Sequence, residues 1–213
     1  MAGLESLASD TAPFFLYRPN AVAAHEARAL LQFLDAVPER HDGTDAISEF
    51  VFVGHPSESG GLGRAEAAAG QPIWLGADWG RGVDIPPELL FLQERVSELA
   101  TDIDFGELLG FTPNLSFTST YVDRYLPGGG FFRHTDGDRY GEVIAGVSIG
   151  PGSASLAFWS DEHHGSSPEV EFTAEPNSIY FFCGPIRHSP WQHAVRGVTD
   201  LRYGITWRTA PES

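Results

Sequence analysis

Lysine is absent: all 13 basic residues are arginine, set against 29 Asp and Glu, and the formal net charge is −16. Chemistry that depends on a lysine amine, such as Schiff-base formation or the phosphate-gripping lysine of a P-loop, is excluded. The shortage of cations also argues against broad affinity for duplex nucleic acid or an anionic membrane, because both are bound largely by neutralising phosphate. A single cysteine, Cys183, rules out an intramolecular disulfide framework and any CxxC zinc site, so a reducing cytoplasm is the expected compartment. No hydrophobic run approaches the ~18 residues that a spanning helix needs. The opening residues MAGLESLASDTAP lack the charged and apolar segments of a secretion signal. What is present is apolar bulk: 42% of the 213 residues are hydrophobic, with 15 Phe and 5 Trp, enough to build a sizeable core and to exclude intrinsic disorder.

No internal repeat is visible. Residues 21–37, AVAAHEARALLQFLDAV, place Val22, Ala29, Leu30, Phe33 and Leu34 on one side of a 3.6-residue period with Asn20 as cap, and predict an amphipathic helix. A second helix is predicted from Pro86-Pro87 through ELLFLQERVSELA, with Leu89, Leu92, Val96 and Leu99 inward. Between them, Gly54 to Gly82 reads as glycine-rich loops flanking one short strand at Pro72 to Leu75. From Asn114 onward seven short β-rich runs follow, separated by Gly, Pro and Ser. Regular short strands without intervening helices favour a sandwich or closed barrel over a parallel βαβ sheet. The expectation is one α+β, mainly β domain over residues 1–213. Its α-rich N-terminal part and substrate lid occupy 1–110, and a jelly-roll core occupies 111–210.

Eight histidines are too many to interpret singly, so spacing sorts them. In His134-Thr135-Asp136, side chains two apart in an extended strand point to the same face and can bind one ion together. A third ligand then comes from another strand, and His193 in WQHAV is the candidate, with His188 its rival. His188 precedes Ser189-Pro190 in a turn, which favours His193. Two imidazoles and one carboxylate on one octahedral face leave positions open, as in non-haem Fe(II) oxygenases. Arg202 and Arg208 are six apart, an even spacing that aims both into one lumen. Two buried cations need anions between them, and a dicarboxylate is the natural partner because each guanidinium grips one carboxylate.

The ordered set Asp123-Arg-Tyr125-Leu-Pro127-Gly128, His134-Thr-Asp136, His193, Arg202 and Arg208 resembles the AlkB-like branch of the Fe(II)/2-oxoglutarate dioxygenases. Tyr125 stands nine residues before His134, as in that family, and the likeness covers roughly residues 71–210. The resemblance implies a double-stranded β-helix in which His134, Asp136 and His193 hold iron. Arg202 then pairs with the distal carboxylate of 2-oxoglutarate, Arg208 lies near the proximal one, and Tyr125 hydrogen-bonds the cosubstrate. The chain departs from the family pattern at Asp123 and Gly204, both asparagine in the family. The expectation is that Asp123 is turned away from the bound dicarboxylate or paired with Arg124 or Arg133.

Plainer readings compete. His134 and Asp136 as a solvated surface pair, His193 as a core histidine, the arginines as a rim ion-pair network and Tyr125 as core filler all lack the coherence of the ordered set. His163-His164, beside Asp161 and Glu162, reads as a solvated loop tip, His25, His41 and His55 as surface residues, and Cys183 as buried filler. The implied reaction uses Fe(II), 2-oxoglutarate and O2 to hydroxylate a substrate C–H bond or remove an N-alkyl group. For the substrate, residues 65–109 carry only Arg81 and Arg95 against nine carboxylates. That poorly suits a phosphate track, although Trp74, Trp79, Phe131 and Phe132 offer stacking surfaces. A small molecule, amino acid or peptide is favoured over alkylated DNA or RNA, with a non-catalytic binding module as a third reading.

Overall fold

In the computed structural model, residues 5–6, 14–36, 76–79, 85–137, 140–160 and 167–211 are described. The chain runs β1 (Glu5–Ser6), β2 (Phe15–Arg18), α1 (Ala24–Ala36), β3 (Gly76–Trp79), α2 (Pro87–Thr101) and α3 (Phe105–Leu109). It continues through β4 (Phe117–Tyr125), β5 (Phe131–His134), β6 (Val143–Ile149), β7 (Ala154–Trp159) and β8 (Val170–Ala174). After β9 (Ile179–Cys183) come a short 3₁₀ turn at Gly184–Arg187, β10 (Gln192–Arg196) and β11 (Arg202–Thr209). Two antiparallel sheets result, a seven-stranded one ordered β1-β2-β9-β6-β11-β4-β3 and a four-stranded one ordered β5-β10-β7-β8. This is the expected jelly roll.

Alternation along the strands divides the interior into two cores. In β11, Tyr203, Ile205 and Trp207 pack with the helices, while Arg202, Gly204, Thr206 and Arg208 face the other way. In β9, Ile179, Phe181 and Cys183 join the helical side, and Tyr180 and Phe182 point between the sheets. The larger sheet is therefore covered by helices on one face and by the smaller sheet on the other. The space between the sheets is where the polar residues of β11 gather.

Both predicted helices form, with local corrections. In α1 the buried residues are Ala27, Leu30 and Leu34, whereas Ala29 is exposed. Asn20 is not its cap: it has a left-handed φ of 52° four residues before the helix, and the Glu26 carboxylate accepts from the Ala23 N–H instead. That carboxylate also accepts from Arg95 of α2 at 2.8 and 3.0 Å, tying the helices together. In α2 the inward residues are Leu89, Leu92, Val96 and Ala100, with Leu99 half-buried. The unanticipated α3 is capped by Asp104, whose side chain accepts from the Glu107 N–H at 2.9 Å.

The N-terminal part is less purely helical than expected. β2 pairs with β9 and β3 with β4, so residues far apart in sequence complete the main sheet. The predicted strand at Pro72 to Leu75 lies outside the described residues, and β3 begins immediately after it at Gly76. Most of the glycine-rich stretch, together with His41, His55 and the His163-His164 loop, also lies outside them.

Candidate functional site

β5 and β10 are antiparallel neighbours whose register sets His134 opposite His193. Opposed residues in a ladder send their side chains to the same face, and the two imidazole rings lie 4.3 Å apart between centroids. The chain leaves β5 at His134 and returns Asp136 to the same side, with Oδ2 3.5 Å from Nε2 of His193. One ligand atom from each of His134, Asp136 and His193 falls within 4.8 Å of the others. His188 is elsewhere: its Nε2 faces the Glu142 carboxylate at 2.9 and 3.1 Å.

Neighbouring groups hold this arrangement in place. The Thr135 hydroxyl donates to the Trp191 carbonyl at 2.7 Å, fastening the turn after β5 to the start of β10. The fully buried Arg187 donates through Nη2 to the carbonyls of Gly137 and Tyr140 at 3.1 and 2.6 Å. Phe131 packs beside His134 at 4.7 Å, and Phe182 and Phe158 beside His193 at 5.1 and 5.6 Å, forming an apolar collar.

The protonation states suit a cation. Burial, reinforced by His134, pushes the His193 imidazole down to about 3 against the opposing charge of Asp136, so it is neutral. Burial alone would raise the Asp136 carboxyl, but Arg208, His193 and His134 hold it well below the usual carboxylate range. A neutral imidazole and an ionised carboxylate are the forms that ligate a metal. This donor set, two nitrogens and one oxygen on one side of an open cavity, fits Fe(II) with free positions.

β11 supplies the two arginines as the even spacing predicts. Arg208 donates to Asp136 Oδ1 from Nε at 3.3 Å and Nη2 at 3.1 Å. Its guanidinium lies over the Tyr140 and Tyr121 rings, 4.7 and 5.6 Å from their centroids. Arg202 is 1% exposed and donates from Nε to Ser148 Oγ at 2.9 Å. Its Nη1 and Nη2 are buried without a hydrogen-bond partner among the described residues. Leaving a guanidinium half-satisfied in a dry site is costly, and a ligand carboxylate would supply the missing acceptors bidentately.

Between the arginines lies a cavity of about 60 Å³, room for roughly four to six waters. β4 lines it with Tyr121, Asp123 and Tyr125, in register with Thr206, Gly204 and Arg202 of β11. Gly204 makes space here: a Cβ would stand 2.9 Å from Arg202 Nη1 and 3.2 Å from Tyr125 Cε2. Asp123 is not turned away from the cavity. It lines the cavity beside Tyr125, two residues along β4. Burial outweighs the nearby arginines and pushes its carboxyl up to about 8, so it is neutral around pH 7.

All six residues singled out from the sequence line this one cavity: Tyr125, His134, Asp136, His193, Arg202 and Arg208. Sequence reasoning missed Tyr180, which lines it from β9, and the supports Ser148 and Arg187. An isolated Ser or Arg in a β-rich run carries no pattern that marks it. Tyr180 was visible only as one aromatic in SIYFFCG.

No family model matches the sequence, and no curated protein matches it. Solved structures share the fold. OsALKBH1 superposes with a TM-score of 0.62 at 13% identity, over 92% of this chain and 97% of that one. A Trichoplax adhaerens prolyl hydroxylase, solved with a hypoxia-inducible-factor oxygen-degradation-domain peptide, gives 0.57 at 17% identity over 92% and 83%. A Pseudomonas putida prolyl-4-hydroxylase gives 0.52 at 17% identity over 93% of each chain. The chain has the jelly-roll fold of these hydroxylases and of OsALKBH1.

Proposed function

We propose that this protein is an Fe(II)/2-oxoglutarate-dependent dioxygenase that oxidises a C–H bond, by hydroxylation or N-dealkylation, in a small-molecule, amino-acid or peptide substrate. The observation that carries the reading is the convergence, in one cavity, of the His134, Asp136 and His193 ligand atoms with the unsatisfied end of Arg202. His134, Asp136 and His193 hold the metal. Arg202 takes the distal carboxylate of 2-oxoglutarate, and Tyr125 stacked beneath its guanidinium, 5.3 Å from centroid to carbon, keeps that fork in place. Arg208 orients Asp136 through Oδ1 and leaves Oδ2 to face the metal position.

Bound iron and cosubstrate supply the oxidising power, with O2 consumed and 2-oxoglutarate leaving as succinate and CO2. The protein's own part is placement and exclusion of water. The collar of Phe131, Phe158 and Phe182 keeps the metal side apolar, and the polar residues of β4 and β11 accept the anion on the other side.

A net charge of −16 without lysine supports a substrate other than a polyanion. None of the described helices is long and apolar enough to cross a membrane. The test is succinate release from the Fe(II)-loaded protein with amino acids, peptides and metabolites in parallel with methylated single-stranded oligonucleotides. Turnover confined to the oligonucleotides would overturn the substrate assignment and keep the reaction class.

A further inference from the structure

Arg187 is a charged side chain with no exposed surface, and its Nη2 donates to two carbonyls in the connection that follows Asp136. Those acceptors, Gly137 and Tyr140, are themselves joined: the Tyr140 N–H donates to the Gly137 carbonyl at 3.3 Å. Arg187 therefore grips both ends of one tight turn. A buried guanidinium is costly unless its N–H groups meet acceptors, so any movement of either carbonyl leaves a buried donor unmet.

The same connection is seated against β11 from the other side. The Gly141 N–H donates to the Thr209 carbonyl at 2.9 Å, and a Cβ on Gly141 would collide with the Ala210 carbonyl oxygen. Tyr140, one residue earlier, belongs to no strand, yet its ring lies 4.7 Å from the Arg208 guanidinium carbon. The second ring over Arg208, Tyr121, is aimed by the β4 ladder. Tyr140 has no ladder, and the turn that Arg187 grips takes its place.

Through that ring the grip reaches the metal site. Arg208 spends Nε and Nη2 on Asp136 Oδ1 and Nη1 on the Thr206 hydroxyl. A ring packed on its face resists tilting of the planar fork away from Asp136. We infer that Arg187 and Tyr140 are positioning residues for the metal centre and act in series. Arg187 fixes the turn, the turn lays Tyr140 on Arg208, and Arg208 presents Asp136 with Oδ2 left for the metal. The inference rests on the dioxygenase reading only in requiring that His134, Asp136 and His193 hold a metal.

The experiment measures metal binding to the full-length protein in R187M, R187K, Y140L, Y140F and the double variant R187M/Y140L. Fe(II) is titrated anaerobically against a competing chelator, and Co(II) is added separately because its visible bands report ligand geometry. R187M and Y140L are each expected to bind Fe(II) about 10- to 100-fold more weakly than wild type, with shifted Co(II) bands. Y140F keeps the ring face and R187K keeps a cation with several donors, so both are expected to recover affinity to within about fivefold of wild type. Because the residues act in series, the double variant is expected to bind no more than about twofold more weakly than the weaker single variant. Wild-type affinity and bands in R187M or Y140L, or multiplied losses in the double variant, overturn the inference alone. Should R187M not fold, Y140L and Y140F decide, and equal affinity with equal bands in that pair overturns it. A wild type that binds neither Fe(II) nor Co(II) overturns the metal reading and this inference with it.

Discussion

Arg208 donates two hydrogen bonds to a single oxygen of Asp136, Oδ1, so that Oδ2 is left on the side of His193. One residue is thereby both the neighbour of the anion pocket and the clamp on a candidate metal ligand. Replacing it with a neutral side chain of similar length, R208M, leaves a buried carboxylate without its countercharge. The metal-free variant is expected to lose about 3 kcal/mol of stability, read by denaturant unfolding. Fe(II) affinity is expected to fall roughly 10- to 100-fold, as when a partner that orients a ligand is removed.

His193 and His188 are separated by a direct comparison. H193A removes one of three clustered donors and is expected to abolish stoichiometric Fe(II) binding in equilibrium dialysis. H188A removes a half-exposed imidazole that pairs with Glu142 and meets Arg187 Nη1 at 3.4 Å, away from the three clustered donors, so it is expected to keep the metal and lose no more than about 1 kcal/mol. Metal retained by H193A and lost from H188A would reverse the assignment.

Gly204 sets the fit between Arg202 and Tyr125. In G204A the added methyl meets Arg202 Nη1 at 2.9 Å and the Tyr125 ring at 3.2 Å, with both partners buried. The guanidinium must move off its position over the ring. The expected outcome is a stability loss of about 1–2 kcal/mol and a markedly raised KM for 2-oxoglutarate, with Fe(II) affinity unchanged.

Asp123 also ties stability to pH. Its folded-state carboxyl is raised to about 8, so between the ordinary carboxylate range and pH 8 the unfolded chain has released a proton that the folded chain retains. Stability from this group is full in acid and is lost as pH rises through that window. The unfolding midpoint of wild type relative to D123N is expected to fall between pH 5 and pH 8. A constant difference would mean that Asp123 is ionised throughout.

The features most legible in the sequence were those with short periods. Strands β4 and β6 to β11 appear as apolar runs broken by Gly and Pro, and the even spacing of Arg202 and Arg208 maps directly onto one face of β11. β5 was seen only through its histidine, because four residues are too few to show alternation. β2 was missed since FLYR acquires its meaning only on pairing with β9, more than 160 residues away. The orientation of Asp123 was misjudged for a related reason: charge alone predicts avoidance of an anion site, and only the structure shows the acid buried and lining the cavity. Arg187 was invisible because its task, holding the carbonyls of Gly137 and Tyr140, is contact made across the fold.

The central claim is that one cavity holds iron and a dicarboxylate side by side. Adding 2-oxoglutarate to the anaerobic Fe(II)-loaded protein and recording the visible spectrum tests it most directly. The account predicts a weak charge-transfer band that saturates at one ligand per iron and is absent from H134A. A wild-type protein that binds iron but shows no band at saturating 2-oxoglutarate, or one whose band survives in H134A, would contradict it.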